Sequence, residues 1–442
     1  MVSAWATGNY TWNDIYLADF SVRFDGSSDF GSKQRWAPFF SGGLGVNIHN
    51  YEFLKGNEMV NKLKVRASYG RTGKASFPAY AATTMYEALF DEWYATGFGA
   101  VLKALGNNNL TWEKTDKFNV GIEMQFLNRR LTVDADYYHD KTIDLVNDVS
   151  LSQTSGFSSY KDNMGEVLNQ GFELQVRGEV FRNRDWLVAL WGNMAHNKNK
   201  ILKISDSQRA YNQRVKEFYE NIVNEEYGRY NSKYGVPISQ YEEGQSLTSI
   251  WAVKSLGIDP TTGKEIFLNR DGSVSDTWNA TQEVAVGNTE PKFNGSIGFN
   301  AAYKQWSLFA AFQYEWGGQE YNQTLVDRVE NARIQYQNVD LRVLTDRWKQ
   351  PGDIAQFKDI KNADSATMPT SRFVQDKAYL RLSALTLSYD FNREWIKKYL
   401  GMNMLRLEAS TRDFINWNSI RQERGLSYPK SWTVDFSIKA QF

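Results

Sequence analysis

The chain has 442 residues, 15% of them aromatic, no cysteine, and 51 basic against 51 acidic side chains. Neutrality excludes the basic face of a nucleic-acid binder, and the lack of cysteine excludes a disulfide framework and a thiolate zinc centre. The mean hydropathy is low, −0.55, and no stretch approaches the roughly 18 apolar residues of a membrane helix. That does not exclude a barrel, whose strands show lipid only every second side chain.

Apolar and polar residues alternate with period two from end to end, the pattern of strands with two unlike faces. Phe20, Val22 and Phe24 share a face, as do Val65, Ala67 and Tyr69. Phe118, Val120, Ile122, Met124 and Phe126 follow, then Leu131, Val133, Ala135 and Tyr137 against Thr132, Asp134, Asp136 and Tyr138. Phe172, Leu174 and Val176 stand opposite Glu173, Gln175, Arg177 and Glu179. Residues 208–226 read as a helix, with Val215, Phe218 and Ile222 at helical spacing, and residues 321–337 read likewise. Between them runs another strand face: Trp306, Leu308, Ala310, Phe312, Tyr314 and Trp316. The segment from Tyr379 to Tyr389 changes parity between Leu382 and Leu385, which predicts a β-bulge near Ser383 and Ala384. Residues 394–400 form a short helix ended by Gly401, before Leu405, Leu407 and Ala409 alternate with Arg406 and Glu408. The last segment is the clearest: Trp432, Val434, Phe436, Ile438, Ala440 and Phe442 on one face, Thr433, Asp435, Ser437, Lys439 and Gln441 on the other. Burying Asp435 and Lys439 in a soluble sandwich would be costly, whereas turning them into a wet lumen costs little.

The connections sort by length. Short links follow Tyr10, His49, Phe126, Phe181, Ala301 and Asp390, and long loops cover residues 72–115, 142–170, 197–290, 317–378 and 413–430, with a shorter one at 26–35. Outer-membrane barrels have short periplasmic turns and long extracellular loops. With Phe442 at the periplasmic end, every short link stays periplasmic only if residues 197–290 are one extracellular excursion. Residues 247–256 and 265–268 are then hairpins within it. The expected fold is all-β: a partial transmembrane antiparallel up-and-down β-barrel of about thirteen spanning strands. A bacterial single-chain barrel normally has an even number, and the first residues carry no export signal. The whole chain, 1–442, is therefore expected to be the C-terminal part of a barrel, with signal peptide, N-terminal domain and first strands outside it.

Chemical motifs are sparse. His49, His139 and His196 have no metal-ligand partner at helical spacing, and no nucleophile elbow, P-loop or Rossmann fingerprint stands out. Asp134 and Asp136 share a face, as lumenal residues of a strand do anyway. Asp259 with Thr262-Gly263, and Asp271-Gly272, read as turn chemistry, since a calcium loop needs further spaced acids. No catalytic residue, metal or cofactor is expected, and the chain reads as non-enzymatic. Aromatics gather towards strand ends: Trp5, Tyr10, Trp12, Tyr16, Trp36, Phe39, Phe40, Tyr137, Tyr138, Trp306, Trp316 and Trp432, with Phe442 closing the chain. Such rings suit membrane-interface girdles, and Trp306, Trp316, Trp432 and Phe442 are the chosen candidates. A second aromatic group lies in the largest loop. Tyr211, Tyr219, Tyr227, Tyr230, Tyr234 and Trp251 are candidate contacts for solute or partner, with self-packing of the loop as the competing reading.

Several segments carry a family resemblance. Asn109-Leu-Thr-Trp-Glu-Lys-Thr-Asp-Lys-Phe-Asn-Val-Gly-Ile-Glu123 and Asn128-Arg-Arg-Leu-Thr-Val-Asp-Ala-Asp-Tyr-Tyr138 resemble strands of the SusC/RagA-like TonB-dependent outer-membrane transporters of Bacteroidetes. Gly287-Asn-Thr-Glu-Pro-Lys-Phe-Asn-Gly295, Arg347-Trp-Lys-Gln-Pro-Gly-Asp353, Asp376-Lys-Ala-Tyr-Leu-Arg-Leu382 and Gly425-Leu-Ser-Tyr-Pro-Lys430 continue the resemblance in the family's order. It implies a barrel of about 22 strands around an N-terminal plug, set in the outer-membrane lipid of a Gram-negative bacterium. It implies energy from a TonB complex, reached through the region outside this chain, and a SusD-like surface lipoprotein closing the mouth. The implied cargo is a large nutrient substrate, usually a glycan or oligosaccharide and in some members a peptide; no nucleic acid is involved. A secreted carbohydrate-binding or carbohydrate-cleaving β-protein would instead need convergent carboxylates in a cleft and an export signal. A passive general porin is a third reading, against which the resemblance argues. The barrel reading predicts one curved, incompletely closed antiparallel sheet with two edge strands.

Overall fold

The computed structural model describes the chain apart from residues 29, 31–34, 75–81, 95–96, 108, 151–158, 164, 225–234, 333, 335–338, 363–366 and 422–431. The two-residue periodicity builds one antiparallel sheet. Its strands are β1 (Val2–Trp12), β2 (Tyr16–Gly26), β3 (Trp36–Asn47), β4 (Val60–Lys74), β5 (Glu113–Phe126), β6 (Leu131–Ile143) and β7 (Glu166–Arg182). They continue with β8 (Trp186–Lys203), β9 (Phe293–Tyr303), β10 (Trp306–Tyr321), β11 (Val374–Asp390), β12 (Met404–Thr411) and β13 (Val434–Gln441). Each strand pairs with its neighbours in chain order, which gives the thirteen expected. A short piece, Asn416–Asn418, pairs with β11 beyond the end of β12 and extends its line. Among the described residues β1 pairs only with β2 and β13 only with β12, so the sheet does not close on itself. Among the described residues the other sheets have two or three strands each, so none is the second large sheet of a sandwich.

Every expected short link lies at one end of the sheet: those after Trp12, Phe126, Arg182 and Tyr303 are turns of two to four residues, and those after Asn47 and Asp390 span residues 48–59 and 391–403. Between β1 and β2, Asn13 and Asp14 adopt left-handed φ angles of 52° and 57°, which their short polar side chains tolerate. Between β11 and β12, helix α2 (Arg393–Leu400) is capped by Asn392, whose side chain accepts from the Glu394 and Trp395 amides. Gly401, at φ 68°, ends that helix as a left-handed cap. The bulge is where the parity change placed it. Ala311 faces Ala384 and Phe312 faces Leu382, leaving Ser383 as the extra residue, with its hydroxyl 3.0 Å from the Ala311 carbonyl.

The long links rise from the other end. Residues 204–292 form one excursion, carrying helix α1 (Asp206–Asn224) and two small sheets off the main one. Ser249–Ala252 pairs with Val284–Asn288, and Lys254–Ile258 pairs with Glu265–Leu268, so these are loop hairpins and not spans. The hairpin of Met85–Tyr94 with Gly97–Ala104 was not anticipated. The helix expected over residues 321–337 is corrected: β10 runs on to Tyr321, and among the described residues of that span a π-helical turn, Leu325–Glu330, follows. Gly317, at φ 82°, shifts the register there, so that Glu320 and Tyr321 still pair with Gln375 and Val374.

The two faces differ as the alternation requires. Large apolar residues on the outer wall are exposed, Leu190 by 50% and Phe436 by 82%. Trp306 to Trp316, Phe293 to Tyr303 and Trp432 to Phe442 are each ten residues apart on this wall. Ten residues at about 3.4 Å each, on strands tilted by about 40°, rise roughly 26 Å, matching the ~25 Å apolar band of such barrels. Three aromatics read from sequence as girdle residues lie elsewhere. Trp5 stands opposite Arg23 on the inner face. Phe39 is buried with Phe30 and Trp112, and Tyr138 points inward to donate to Asn197 Oδ1 at 2.9 Å.

Candidate functional site

The inner wall is polar and internally paired. Arg66 donates to Asp136 at 2.7 Å and to Glu123 at 3.2 Å, and Lys62 reaches the same Glu123 at 2.6 Å. Lys62 and Arg66 come from β4, Glu123 from β5 and Asp136 from β6, so they meet only because the strands are in register. Gly121 makes room for the Arg66 guanidinium, since a Cβ there would sit 2.4 Å from Asp136 Oδ1. Asp134, Asp136, Glu173, Gln175 and Asn193 line a cavity of about 340 Å³ on this wall. It offers carboxylates and amides in a row across three neighbouring strands, a surface suited to hydroxyl- or amide-bearing solutes. Among the described residues no group of three or more His, Asp or Glu side chains is arranged to hold a metal ion.

Above the wall the long links pack into a body with its own core. Leu325, Val326, Val329, Val343, Phe357 and Phe373 form one cluster; Val215, Tyr219 and Ala280 form another, with Trp278 against it. The charged centre of the body is Arg372. It donates to Glu265 at 2.8 and 3.1 Å and to Glu330 at 2.6 and 3.2 Å. Thr370 also donates to Glu265, at 2.6 Å. Burial alone would lower the Arg372 pKa, but Glu330 and Glu265 hold it well above the ordinary value. The triad ties the excursion of residues 204–292 to the next one, residues 322–373. Glu283 is the other buried carboxyl: burial pushes its pKa up to about 8 against the opposing hydrogen bond from Gln240 and the charges of Lys216 and Arg270. On the surface, Asp259 accepts from Thr261 and Thr262, Asp271 accepts from Ser273, and Gly263 and Gly272 take φ of 70° and 85°. That is the turn chemistry expected of both segments.

The aromatic candidates of the largest loop separate. Tyr219 is 0% exposed and donates to the Val236 carbonyl at 2.9 Å, and Trp251 is 2% exposed. Both pack the body and offer no surface to a solute. Tyr211 is half-buried beside Tyr241, ring centres 5.7 Å apart. Tyr227, Tyr230 and Tyr234 lie outside the described residues. Sequence reasoning missed Trp278, whose indole N–H donates to the Pro369 carbonyl at 2.8 Å. Its ring borders an open cavity of about 300 Å³ lined also by Glu220, Asn269, Thr277, Asn279 and Gln282. The available signal was a lone Trp within the polar run 273–279, where no strand or helix period explains it. The girdle candidates Trp306, Trp316, Trp432 and Phe442 all stand exposed on the outer wall.

Comparison with known proteins agrees with this architecture. The family model described as TonB dependent receptor-like, beta-barrel, matches residues 2–410. TonB-dependent receptor P3 of Formosa agariphila is 27% identical over 424 residues, covering 94% of this chain and 41% of that protein. TonB-dependent receptor SusC of Bacteroides thetaiotaomicron is 33% identical over 215 residues, 46% of this chain and 21% of its own length. The RagAB peptide importer in its open-open state superposes with a TM-score of 0.78 at 24% identity, over 100% of this chain and 46% of that one. That likeness speaks for the fold. The chain spans less than half the length of these relatives. With one wall built for hydrocarbon, the other for water, and the family match running through most of the sheet, the chain belongs to the TonB-dependent receptor β-barrel family of the Gram-negative outer membrane.

Proposed function

We propose that this chain supplies the C-terminal part of the barrel of a TonB-dependent importer of large nutrients, with no chemical step on the cargo. The carrying observation is the polar inner wall lying beneath a folded extracellular body, a route for solute through the apolar band. Backbone groups paired from strand to strand satisfy the demand that hydrocarbon makes on any such wall. In this reading β1 and β13 pair with strands of the longer protein, whose N-terminal region provides the plug and the contact with the TonB complex. A SusD-like surface lipoprotein covers the extracellular body. The cargo is an oligosaccharide, recognised by the carboxylates and amides of the wall and by Trp278, whose ring can lie against a sugar face. Similarity to SusC supports the glycan reading, and the RagAB fold likeness makes a peptide the competing cargo. The test is uptake by cells carrying the full-length receptor with its lipoprotein, given labelled oligosaccharides and labelled peptides in parallel. Receptor-dependent, TonB-dependent oligosaccharide uptake supports the reading. Peptide uptake alone overturns the cargo assignment, and uptake of neither overturns the import function.

A further inference from the structure

One column of side chains on the outer wall departs from the lipid-facing pattern. Along β8 the outward residues run Trp186, Val188, Leu190, Gly192, Met194 and His196, and then Lys198 and Lys200. The His196 ring lies 5.4 Å from Phe172 and 5.5 Å from Phe293, and Phe293 lies 6.1 Å from Trp316, so His196 sits in the upper girdle. Trp186 and His196 are ten residues apart. Their rise fills the roughly 25 Å apolar band, which places Lys198 about 5 Å and Lys200 about 10 Å above it. That layer belongs to lipid headgroups. Lys203 follows, opposite the outward Glu166.

All three lysines are exposed, and none is ion-paired among the described residues. The acids nearby are engaged: Glu166 with Lys141 at 2.8 Å, Glu290 with the side-chain amide of Asn197 and, at 3.2 Å, the backbone N–H of Asn199, and Glu243 with the backbone N–H of Ile204 at 3.3 Å and with Arg209 at 3.7 Å. On the outward face of these strands Lys141, Lys198, Lys200 and Lys203 stand with Glu166 as the facing acid, which leaves a net positive strip. Gln170, across from Lys198, adds an uncharged amide, and Leu168 faces Lys200. Directly below, the exposed Leu190 and Phe172 continue the strip into the apolar wall.

We propose that Lys198, Lys200 and Lys203 form an outward-facing site for the phosphorylated headgroup of an outer-leaflet lipid, whose acyl chains descend along Phe172, Met194 and Leu190. Ammonium groups on flexible stems meet phosphate oxygens as point charges, and their methylenes stay against the girdle. Continuity with the apolar wall favours a lipid headgroup over free phosphate, because only a lipid occupies both parts. The site is separate from the solute route, since these side chains point away from the lumen.

The test uses the full-length receptor in zwitterionic lipid nanodiscs. Phosphorylated lipid A, dephosphorylated lipid A and inorganic phosphate are the probes, with lipid retention read by native mass spectrometry. The proposal predicts retention of phosphorylated lipid A, loss of about fivefold in affinity for each Lys→Gln change among the three, and recovery in the Lys→Arg variants. Equal retention of dephosphorylated lipid A would overturn the headgroup claim. Displacement of the lipid by millimolar phosphate would mean a simple anion site and would overturn the lipid assignment. An unaltered heat-dependent gel mobility shows that the variants still fold; if the triple variant fails this control, K198Q alone carries the test.

Discussion

Replacing Arg372 by methionine should unhook the extracellular body from itself while leaving the sheet intact. The Arg372, Glu265 and Glu330 side chains are exposed by only 10%, 7% and 0%. Removing the guanidinium leaves two buried carboxylates with the Thr370 hydroxyl still donating to Glu265 and the buried Lys358 as a nearby opposite charge. Breaking a buried ion pair from one side costs about 3–5 kcal/mol, because the surviving charge has lost its partner and cannot recover its hydration. The partners lie 107 and 42 residues from Arg372 in the chain, so the cost falls on the docking of two excursions. Hydrogen exchange on the full-length receptor reads this directly. Amides of Glu265–Leu268 and Leu325–Glu330 should exchange faster by roughly two to three orders of magnitude, and those of β8 to β10 should not change. The triple variant Arg372→Met, Glu265→Gln, Glu330→Gln should recover most of the protection, since no bare charge remains. Unchanged exchange in the single variant, or a triple variant as loose as the single one, would refute the argument.

Three further outcomes follow from the same geometry. Glu283 is held near a pKa of 8 against an ordinary 4.5, so the native state keeps a proton that the unfolded chain releases. Local stability should therefore fall as pH rises from about 4.5 to about 8 and level off above, a loss of about 3 kcal/mol by pH 7. Glu283→Gln should abolish that slope in exchange of the Val236–Tyr241 amides, and a slope that survives the substitution contradicts the assignment. Deleting Ser383 should remove the bulge and leave Lys377 and Arg381 facing the lumen, because Leu382 and Ala384 already pair with the adjacent residues Phe312 and Ala311. Barrel assembly, followed by heat-dependent gel mobility, should therefore survive the deletion, and failure to assemble would contradict the assignment of Ser383 as the extra residue. Trp278→Ala should weaken oligosaccharide binding by more than about 1 kcal/mol without altering assembly, measured by calorimetry on the receptor with its lipoprotein.

The sheet was legible because its physical demand is local: one face for hydrocarbon and one for water imposes a two-residue period on every strand. The Ser383 bulge was visible for the same reason, as a change of parity with no change in composition. Where both faces turn polar the signal vanishes. β8 continues past Asn197 to Lys203 because Asn197 and Asn199 face inward while Lys198 and Lys200 face outward above the bilayer, and no alternation of hydropathy marks that stretch. The body above the sheet was legible only in part. Helix α1 shows its period, but Tyr219 and Trp251 read as surface aromatics because nothing local tells a buried loop core from an exposed one. The Arg372 triad was invisible, since its members come from segments brought together only by the folding of both excursions.

The central claim is that alternate residues of each strand face lipid and water, with one defined slip at Ser383. These 442 residues contain no cysteine, so a cysteine introduced among them meets no native thiol within this part of the receptor. The decisive measurement is a cysteine scan of residues 306–316 and 374–390 in the full-length receptor in membranes, labelled with a nitroxide and probed with oxygen and with a water-soluble nickel complex. Oxygen contact should peak at every even position from 306 to 316. In β11 it should peak at 378, 380 and 382, then shift to the odd positions 385, 387 and 389. Uniform accessibility along these strands, or unbroken alternation through Ser383, would contradict the account.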